Sequence, residues 1–129
     1  MAGKGKAVSS GNELQDRVVE IGKNLGLDVR EQVKVGKRIW GADRHIDVVL
    51  TETKSRKSLG VECKFQGGGG SAEEKIPTTV QDIEAWPIKG IVVLSGEGFS
   101  SHMRSFLYST GRTVDIDDLE DWLKLYFGL

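Results

Sequence analysis

The sequence has few of the residues on which disulfide scaffolds, zinc sites and membrane segments depend. Its one cysteine, Cys63, excludes an internal disulfide framework and a cysteine-rich zinc site, and it fits a reducing cytoplasm. No apolar run reaches the length of a membrane span, and the start of the chain lacks the apolar segment of a signal peptide. We therefore expect a cytoplasmic protein.

A phosphate-binding loop is also missing from the sequence. The glycine run 67–70 is not followed by Lys-Ser or Lys-Thr, so it does not match the loop that cradles nucleotide phosphates. The run is either a linker or a loop beside a site that becomes ordered when a ligand binds.

Net charge is small as well, but it is unevenly distributed. The chain carries a net charge of −1, while residues 1–66 hold 13 Lys and Arg against 9 Asp and Glu. Residues 67–129 hold 5 against 10. A first half with an excess of +4 suits a polyanionic partner, although chance unevenness in a small protein would look the same.

The length of 129 residues allows one modest hydrophobic core. We expect residues 1–8 to form a flexible basic arm and residues 9–129 to form a single domain. Apolar residues at helical spacing predict helices near residues 10–26, 77–86, 99–111 and 117–128. Alternating or continuous apolar runs predict strands at 29–35, 44–50, 59–65, 88–96 and 112–116. This order predicts an α/β fold, with a mixed sheet of about five strands flanked by helices on both faces.

Two predicted strands carry charges that are costly to bury. Alternation places three apolar side chains of the second strand on one face: Ile46, Val48 and Leu50. Asp47 and His45 then share the opposite face. In the third strand, the core-facing set is Val61, Cys63 and Phe65, and the opposite set is Glu62, Lys64 and Gln66. The short loop between these strands predicts antiparallel pairing, which would bring Asp47 beside Glu62 and Lys64.

Two carboxylates and an amine held together suit metal-dependent hydrolysis of a phosphodiester. Asp47 and Glu62 supply the oxygen ligands that Mg²⁺ prefers, and Mn²⁺ can take its place. Lys64 can place or deprotonate a water and screen charge on the phosphate. The competing interpretation is a surface salt bridge between Lys64 and one of the two acids, because such triplets are common.

The motifs GNELQDRVVEIGKNLGLDV, GADRHIDVVL and LGVECKFQ resemble the PD-(D/E)XK nuclease superfamily over residues 9–95. This group includes type II restriction endonucleases, Holliday-junction resolvases and some homing endonucleases. Asp47 matches the first Asp of the motif, and Glu62 and Lys64 match its (D/E)XK. The chain departs from the motif in having Ile46 where the family name has Pro.

The resemblance implies a restriction endonuclease-like core and a metal-dependent DNA endonuclease that uses Mg²⁺. It also implies that Glu13 is an auxiliary metal ligand and that Gln66 supports catalysis. Glu13 has a second interpretation, because it forms a capping box with Ser10 and would then be structural. Glu20 is the reserve acid on the same helix.

Basic residues near the predicted site are candidate contacts to double-stranded DNA. They are Lys34, Lys37, Arg38, Arg44, His45, Lys54, Arg56 and Lys57. The last three lie in the predicted hairpin loop, which is either a solvated tip or a clamp on the DNA backbone. Because the chain has no room for a recognition domain, duplex cleavage would need a homodimer or a larger homo-oligomer.

Two other functions fit the same fold, namely a non-catalytic nucleic-acid-binding module and a regulatory subunit. The complete Asp-Glu-Lys set argues against both. A compact nuclease of this type suits a bacterium or a phage.

Overall fold

The computed structural model describes residues 10–37, 41–67, 76–96 and 111–129, together with Ser105 and Ser109. The predicted basic arm, Arg38 and most of the predicted helix at 99–111 lie outside these residues. The elements, in chain order, are α1 Gly11–Asn24, β1 Asp28–Lys37, β2 Asp43–Glu52, β3 Lys57–Phe65, α2 Ile76–Glu84, β4 Lys89–Ser95, β5 Thr113–Asp115, a 3-10 turn Ile116–Asp118 and α3 Leu119–Phe127.

The strands form one five-stranded sheet in the order β1-β2-β3-β4-β5. β1, β2 and β3 are antiparallel neighbours, whereas β3, β4 and β5 run parallel. Parallel strands need a crossover, and α2 lies in the connection between β3 and β4. The predicted mixed sheet and the antiparallel β2–β3 hairpin are confirmed.

Helices cover both faces of the sheet, as predicted, and each face has its own apolar core. The core under α1 and α3 includes Leu14, Val18, Ile21, Val48, Leu50, Leu59, Val61, Ile91, Val93, Leu119 and Leu123. The core under α2 consists of Ile46, Val49, Ile83, Trp86, Val92 and Leu94. β4 therefore supplies both cores in alternation, which explains its continuous apolar sequence.

Helix α1 begins at a side-chain cap. Ser10 has extended backbone angles, and its Oγ accepts a hydrogen bond of 3.1 Å from the backbone N–H of Glu13. Leu14, Val18 and Ile21 then follow at helical spacing and are buried. This cap and this apolar stripe fix α1 against the sheet.

Two glycines allow α2 to pack closely on the sheet. A Cβ atom at Gly60 would lie 2.7 Å from the Trp86 ring, and one at Gly90 would lie 2.5 Å from it. The indole thus lies directly on the backbone of β3 and β4, in space that any side chain at these positions would occupy. This contact brings α2 over the face of β3 that carries Glu62.

The predicted common face of Ile46, Val48 and Leu50 is wrong for Ile46. Val48 and Leu50 lie in the core under α1 and α3, but Ile46 lies under α2 with Val49. Residues three apart share a face only where regular alternation breaks, so β2 is irregular between Ile46 and Val49. Asp47 stands at this irregularity.

None of the described helices is long and apolar enough to cross a membrane.

Candidate active site

The charged residues of β3 lie where alternation predicts. Cys63 and Phe65 pack against the core under α1 and α3 together with buried Val61. Glu62 and Lys64 point to the other face, on which Gly60 touches Trp86, two residues after the end of α2. Between Val61 and Phe65, β3 therefore presents apolar side chains on one face and charged side chains on the other.

Asp47 is held by hydrogen bonds to both of its carboxylate oxygens. The register of β2 and β3 runs from Glu52↔Lys57 to Val48↔Val61, and Asp47 follows directly. Its Oδ2 accepts a bond of 2.9 Å from the backbone N–H of Cys63, and its Oδ1 accepts one of 3.1 Å from Gln32 Nε2. The Asp47 carboxylate thus accepts an inter-strand hydrogen bond that a backbone carbonyl of β2 would accept in a regular ladder, and it lies beside Glu62.

The pKa of Glu62 shows the effect of burial and of the neighbouring Asp47 carboxylate. Burial, together with the negative charge of Asp47, raises the pKa of the Glu62 carboxyl from 4.5 to about 7, although the nearby Lys64 ammonium opposes the change. Lys64 Nζ lies 3.4 Å from Glu62 Oε2, and the two side chains are 26% and 15% exposed. A surface salt bridge between solvated residues would not raise the pKa of an acid in this way. The site holds more negative charge than one ammonium compensates.

An acid from α2, which the sequence did not reveal, also adds negative charge beside Glu62. The charge of Asp82 is a further, smaller cause of the raised Glu62 pKa. Asp82 Oδ1 also lies 2.9 Å from Arg44 Nε, although the Nε–H is not aligned for a hydrogen bond. Only the packing of α2 on this face of the sheet brings Asp82 here, and the sequence spacing of twenty residues from Glu62 gives no signal of it.

The donor set of the site fits a hard divalent cation. Within the described ranges, no three His, Cys, Asp or Glu side chains converge into a metal-binding group. Asp47 and Glu62 nevertheless lie close enough for one charge to raise the pKa of the other. Two such carboxylates suit Mg²⁺, which binds proteins through one or two carboxylates and takes its other ligands from water and phosphate.

The Cys63 thiol does not take part in this chemistry as a nucleophile. Burial raises its pKa well above the usual range, and the charges of Asp47 and Glu62 raise it further. A thiol under these conditions stays protonated at neutral pH. Cys63 contributes its backbone N–H and its packing.

The predicted auxiliary residues occupy different surroundings. Glu13 is exposed at the start of α1, and Glu20 pairs with Arg17 at 2.7 Å. The hydrogen bonds that connect α1 to Asp47 come instead from Gln15, by way of Gln32. Gln66 is only 4% exposed, and its backbone N–H donates to the Ser95 carbonyl.

The predicted DNA contacts on β1 and β2 lie near the acidic site. Lys34 and Lys37 share Asp43, with Nζ–Oδ1 distances of 3.3 and 3.6 Å, and both lysines are exposed. His45 is exposed on β2, and Arg44 pairs with Asp82. This part of the β1–β2 hairpin is the basic surface closest along the strand to Asp47.

The predicted contacts in the β2–β3 hairpin lie at the other end of the sheet. Lys57 is five residues before Glu62, which corresponds to roughly 17 Å along a strand. Its Nζ donates to the Tyr126 carbonyl at 2.7 Å and lies 4.0 Å from the centre of the Tyr126 ring. Lys54 and Arg56 are exposed in the same turn.

Several solved structures are similar to this chain at low sequence identity. The protein of unknown function AF1548 is 17% identical, with a TM-score of 0.54 over 78% of this chain and 55% of that chain. Protein VC1899 from Vibrio cholerae is 16% identical, with a TM-score of 0.50 over 91% of this chain and 32% of that chain. A repair endonuclease from Pyrococcus abyssi is 15% identical, with a TM-score of 0.44 over 85% of this chain and 49% of that chain. The chain thus spans between 32% and 55% of the length of these proteins.

A search of curated protein sequences gave no match. The family model described as a PD-(D/E)XK nuclease superfamily domain matches residues 6–123. This match covers nearly the whole chain, including Asp47, Glu62 and Lys64. The chain therefore belongs to the PD-(D/E)XK nuclease superfamily.

Proposed function

We propose that this protein is a metal-dependent DNA endonuclease, with Asp47, Glu62 and Lys64 at its active site. The observation that carries the proposal is the pair of crowded acids. Asp47 is fixed on both oxygens, and Glu62 next to it has a pKa raised to about 7. Burying two acids together is costly unless a cation or a proton joins them, so the arrangement favours a site built to bind one.

Asp47 and Glu62 are the residues that would hold the metal ion. When bound, Mg²⁺ or Mn²⁺ would supply Lewis-acid polarisation of the scissile phosphate and a lowered pKa for a water. Glu13, which the resemblance suggests as a third ligand, is proposed as an auxiliary acid from α1. Gln66 is proposed as a support behind Lys64, because its side chain is buried.

Lys64 has two roles in this proposal. Its Nζ, which lies 3.4 Å from Glu62 Oε2, can donate a hydrogen bond to a non-bridging phosphate oxygen and so stabilise the charge that develops there. The same amine can also orient the attacking water by a hydrogen bond to it. As an ammonium group, the Lys64 side chain offers three hydrogen-bond donors and no acceptor.

The proposed substrate is double-stranded DNA, bound through the exposed lysines of the β1–β2 hairpin. Lys34, Lys37 and Arg44 are the proposed contacts nearest to Asp47, with His45 beside them and Arg38 next along the chain. Lys54, Arg56 and Lys57 would contact DNA that extends to the other end of the sheet. Cleavage of both strands at one position would require two sites, and we propose a homodimer or a larger homo-oligomer.

The test is to incubate the protein with supercoiled plasmid, linear duplex, four-way junction and single-stranded DNA, each with Mg²⁺, Mn²⁺ or EDTA. The proposal predicts cuts that appear with metal and disappear with EDTA, and their positions would show which DNA structure is recognised. Salt-dependent binding without cleavage of any substrate would favour the non-catalytic module instead.

A further inference from the structure

A chain of polar side chains runs from α1 through β1 to Asp47. Gln15 Nε2 donates to Glu31 Oε1 at 3.0 Å, and Gln32 Nε2 donates to Gln15 Oε1 at 3.1 Å. Gln32 Nε2 also donates to Asp47 Oδ1 at 3.1 Å. The family motif contains neither glutamine, and the sequence gives no reason to single them out.

Glu31 determines which amide atoms donate and which accept along this series of hydrogen bonds. The Glu31 carboxylate can only accept, so Gln15 must turn its amide nitrogen toward Glu31. This leaves the Gln15 oxygen facing Gln32, and Gln32 must therefore present its own nitrogen. The two hydrogens of that nitrogen serve Gln15 and Asp47, so Asp47 meets a donor and never the amide oxygen.

The backbone of Gln32 is unusual in a way that points to the side chain. Its φ is +50°, in the left-handed region that glutamine seldom adopts and that glycine and asparagine tolerate. The β1–β2 register passes from Glu31↔Val48 to Val33↔Ile46, so Gln32 stands opposite Asp47. The strand itself gives no reason for a glutamine with a strained backbone at this position. The contact of its side-chain amide with Asp47 does give one.

We propose that Gln32 is a positioning residue for Asp47 and that Gln15 sets its direction. This inference rests on the proposed function, because it concerns how Asp47 is presented to a divalent cation. With one hydrogen bond from Gln32 and one from Cys63 N–H, each Asp47 oxygen keeps a lone pair for a ligand while its orientation is fixed. Residues that orient a ligand in this way usually contribute 10- to 100-fold to metal affinity.

The test uses Gln32→Gly and Gln32→Asn. Both residues accept a positive φ, but glycine has no amide and asparagine is one methylene too short to make the same contact. We expect melting temperatures at or above that of the wild type and Mg²⁺ or Mn²⁺ binding that is about 10-fold weaker by calorimetry. Arg30→Ala, at an exposed position of the same strand, should change neither.

Kinetics separate positioning from a merely structural role. In both Gln32 variants, cleavage at limiting Mg²⁺ should fall about 10-fold and recover as the metal concentration is raised, while KM for DNA stays unchanged. Gln15→Ala should give a smaller loss of the same kind, because Gln32 keeps its amide but loses the partner that orients it.

A double-mutant cycle in EDTA examines the contact without metal or activity. Gln32→Gly should change the urea midpoint by different amounts in the wild-type and Asp47→Ala backgrounds, because only the former contains the hydrogen bond. Equal changes in both backgrounds would overturn the inference.

The outcomes also separate this inference from the proposed function. If Asp47→Asn cleaves DNA like the wild type, the proposed function fails. If Asp47→Asn is inactive but Gln32→Gly and Gln32→Asn bind metal like the wild type, only the role of Gln32 is refuted. Unfolding of both Gln32 variants would refute it too, because Gln32 would then be a structural residue.

Discussion

Replacing Glu62 with glutamine should stabilise the metal-free protein at pH 8 and leave its stability nearly unchanged near pH 4. Glutamine has the shape of a protonated glutamate but carries no charge. The pKa of Glu62 is raised from 4.5 to about 7 in the folded protein, first by burial and then by Asp47. Ionised Glu62 therefore opposes folding, and removing its charge should relieve that opposition.

The direction in which stability changes with pH follows from proton linkage. Below pH 4.5, Glu62 is protonated in both the folded and the unfolded chain, so it contributes nothing. Between pH 4.5 and about 7, the unfolded chain loses the proton first, and stability falls as the pH rises. Above pH 7 the penalty is constant. A pKa raised from 4.5 to about 7 corresponds to a loss of about 3 kcal/mol in the free energy of unfolding. The Glu62 side chain is only 15% exposed, so solvent screens little of this effect.

The assay is urea unfolding in EDTA, followed by tryptophan fluorescence between pH 4 and pH 8.5. Glu84→Gln removes the same charge from an exposed position of α2 and serves as the matched control. The difference between wild type and Glu62→Gln should grow across the pH window, while the control difference stays flat. Saturating Mg²⁺ should stabilise the wild type more than Glu62→Gln, by about 3 kcal/mol at 100 times the Kd. A difference independent of pH would mean that Glu62 is not crowded, and the electrostatic basis of the site would be lost.

Three further predictions address the strand register, the packing and the DNA surface. Lys64→Ala should melt near the wild-type temperature and cleave DNA about 10²-fold more slowly, and normal cleavage would remove Lys64 from the site. Gly60→Ala should lower the free energy of unfolding by about 1–3 kcal/mol, because its Cβ would lie 2.7 Å from the Trp86 ring, and an unchanged urea midpoint would contradict that packing. Lys37→Gln should reduce the slope of log affinity against log salt for duplex binding by roughly one, whereas Lys124→Gln on α3 should not; equal slopes would place the DNA surface elsewhere.

Alternation predicted the faces of β3 because this strand is regular and lies inside the sheet. Its register with β4 is unbroken from Leu59 to Phe65, so each side chain takes the face that its position dictates. The same reasoning failed for Ile46. There the β2–β3 register stops at Val48, and the Asp47 side chain takes over a bond that a backbone carbonyl would accept in a regular ladder.

The residues that the sequence did not reveal depend on tertiary packing or on backbone strain. The charge of Asp82 reaches Glu62 only because Trp86 fits over Gly60 and Gly90 and so holds α2 on this face of the sheet. Gln32 reaches Asp47 from a left-handed backbone conformation, which neither composition nor periodicity indicates for a glutamine. The acids and the lysine of the proposed site could be singled out from residue types and spacing, but the contacts that support them could not.

The most direct test of the proposed function is the single-turnover cleavage rate of duplex DNA in Mg²⁺ for the wild type, Asp47→Asn and Asp28→Asn. Asp28 is an exposed carboxylate on β1, so its substitution makes the same chemical change outside the site. We expect Asp47→Asn to lose cleavage by several orders of magnitude while it still binds duplex in EDTA, and we expect Asp28→Asn to cleave normally. Full cleavage by Asp47→Asn would contradict the nuclease site proposed for this chain.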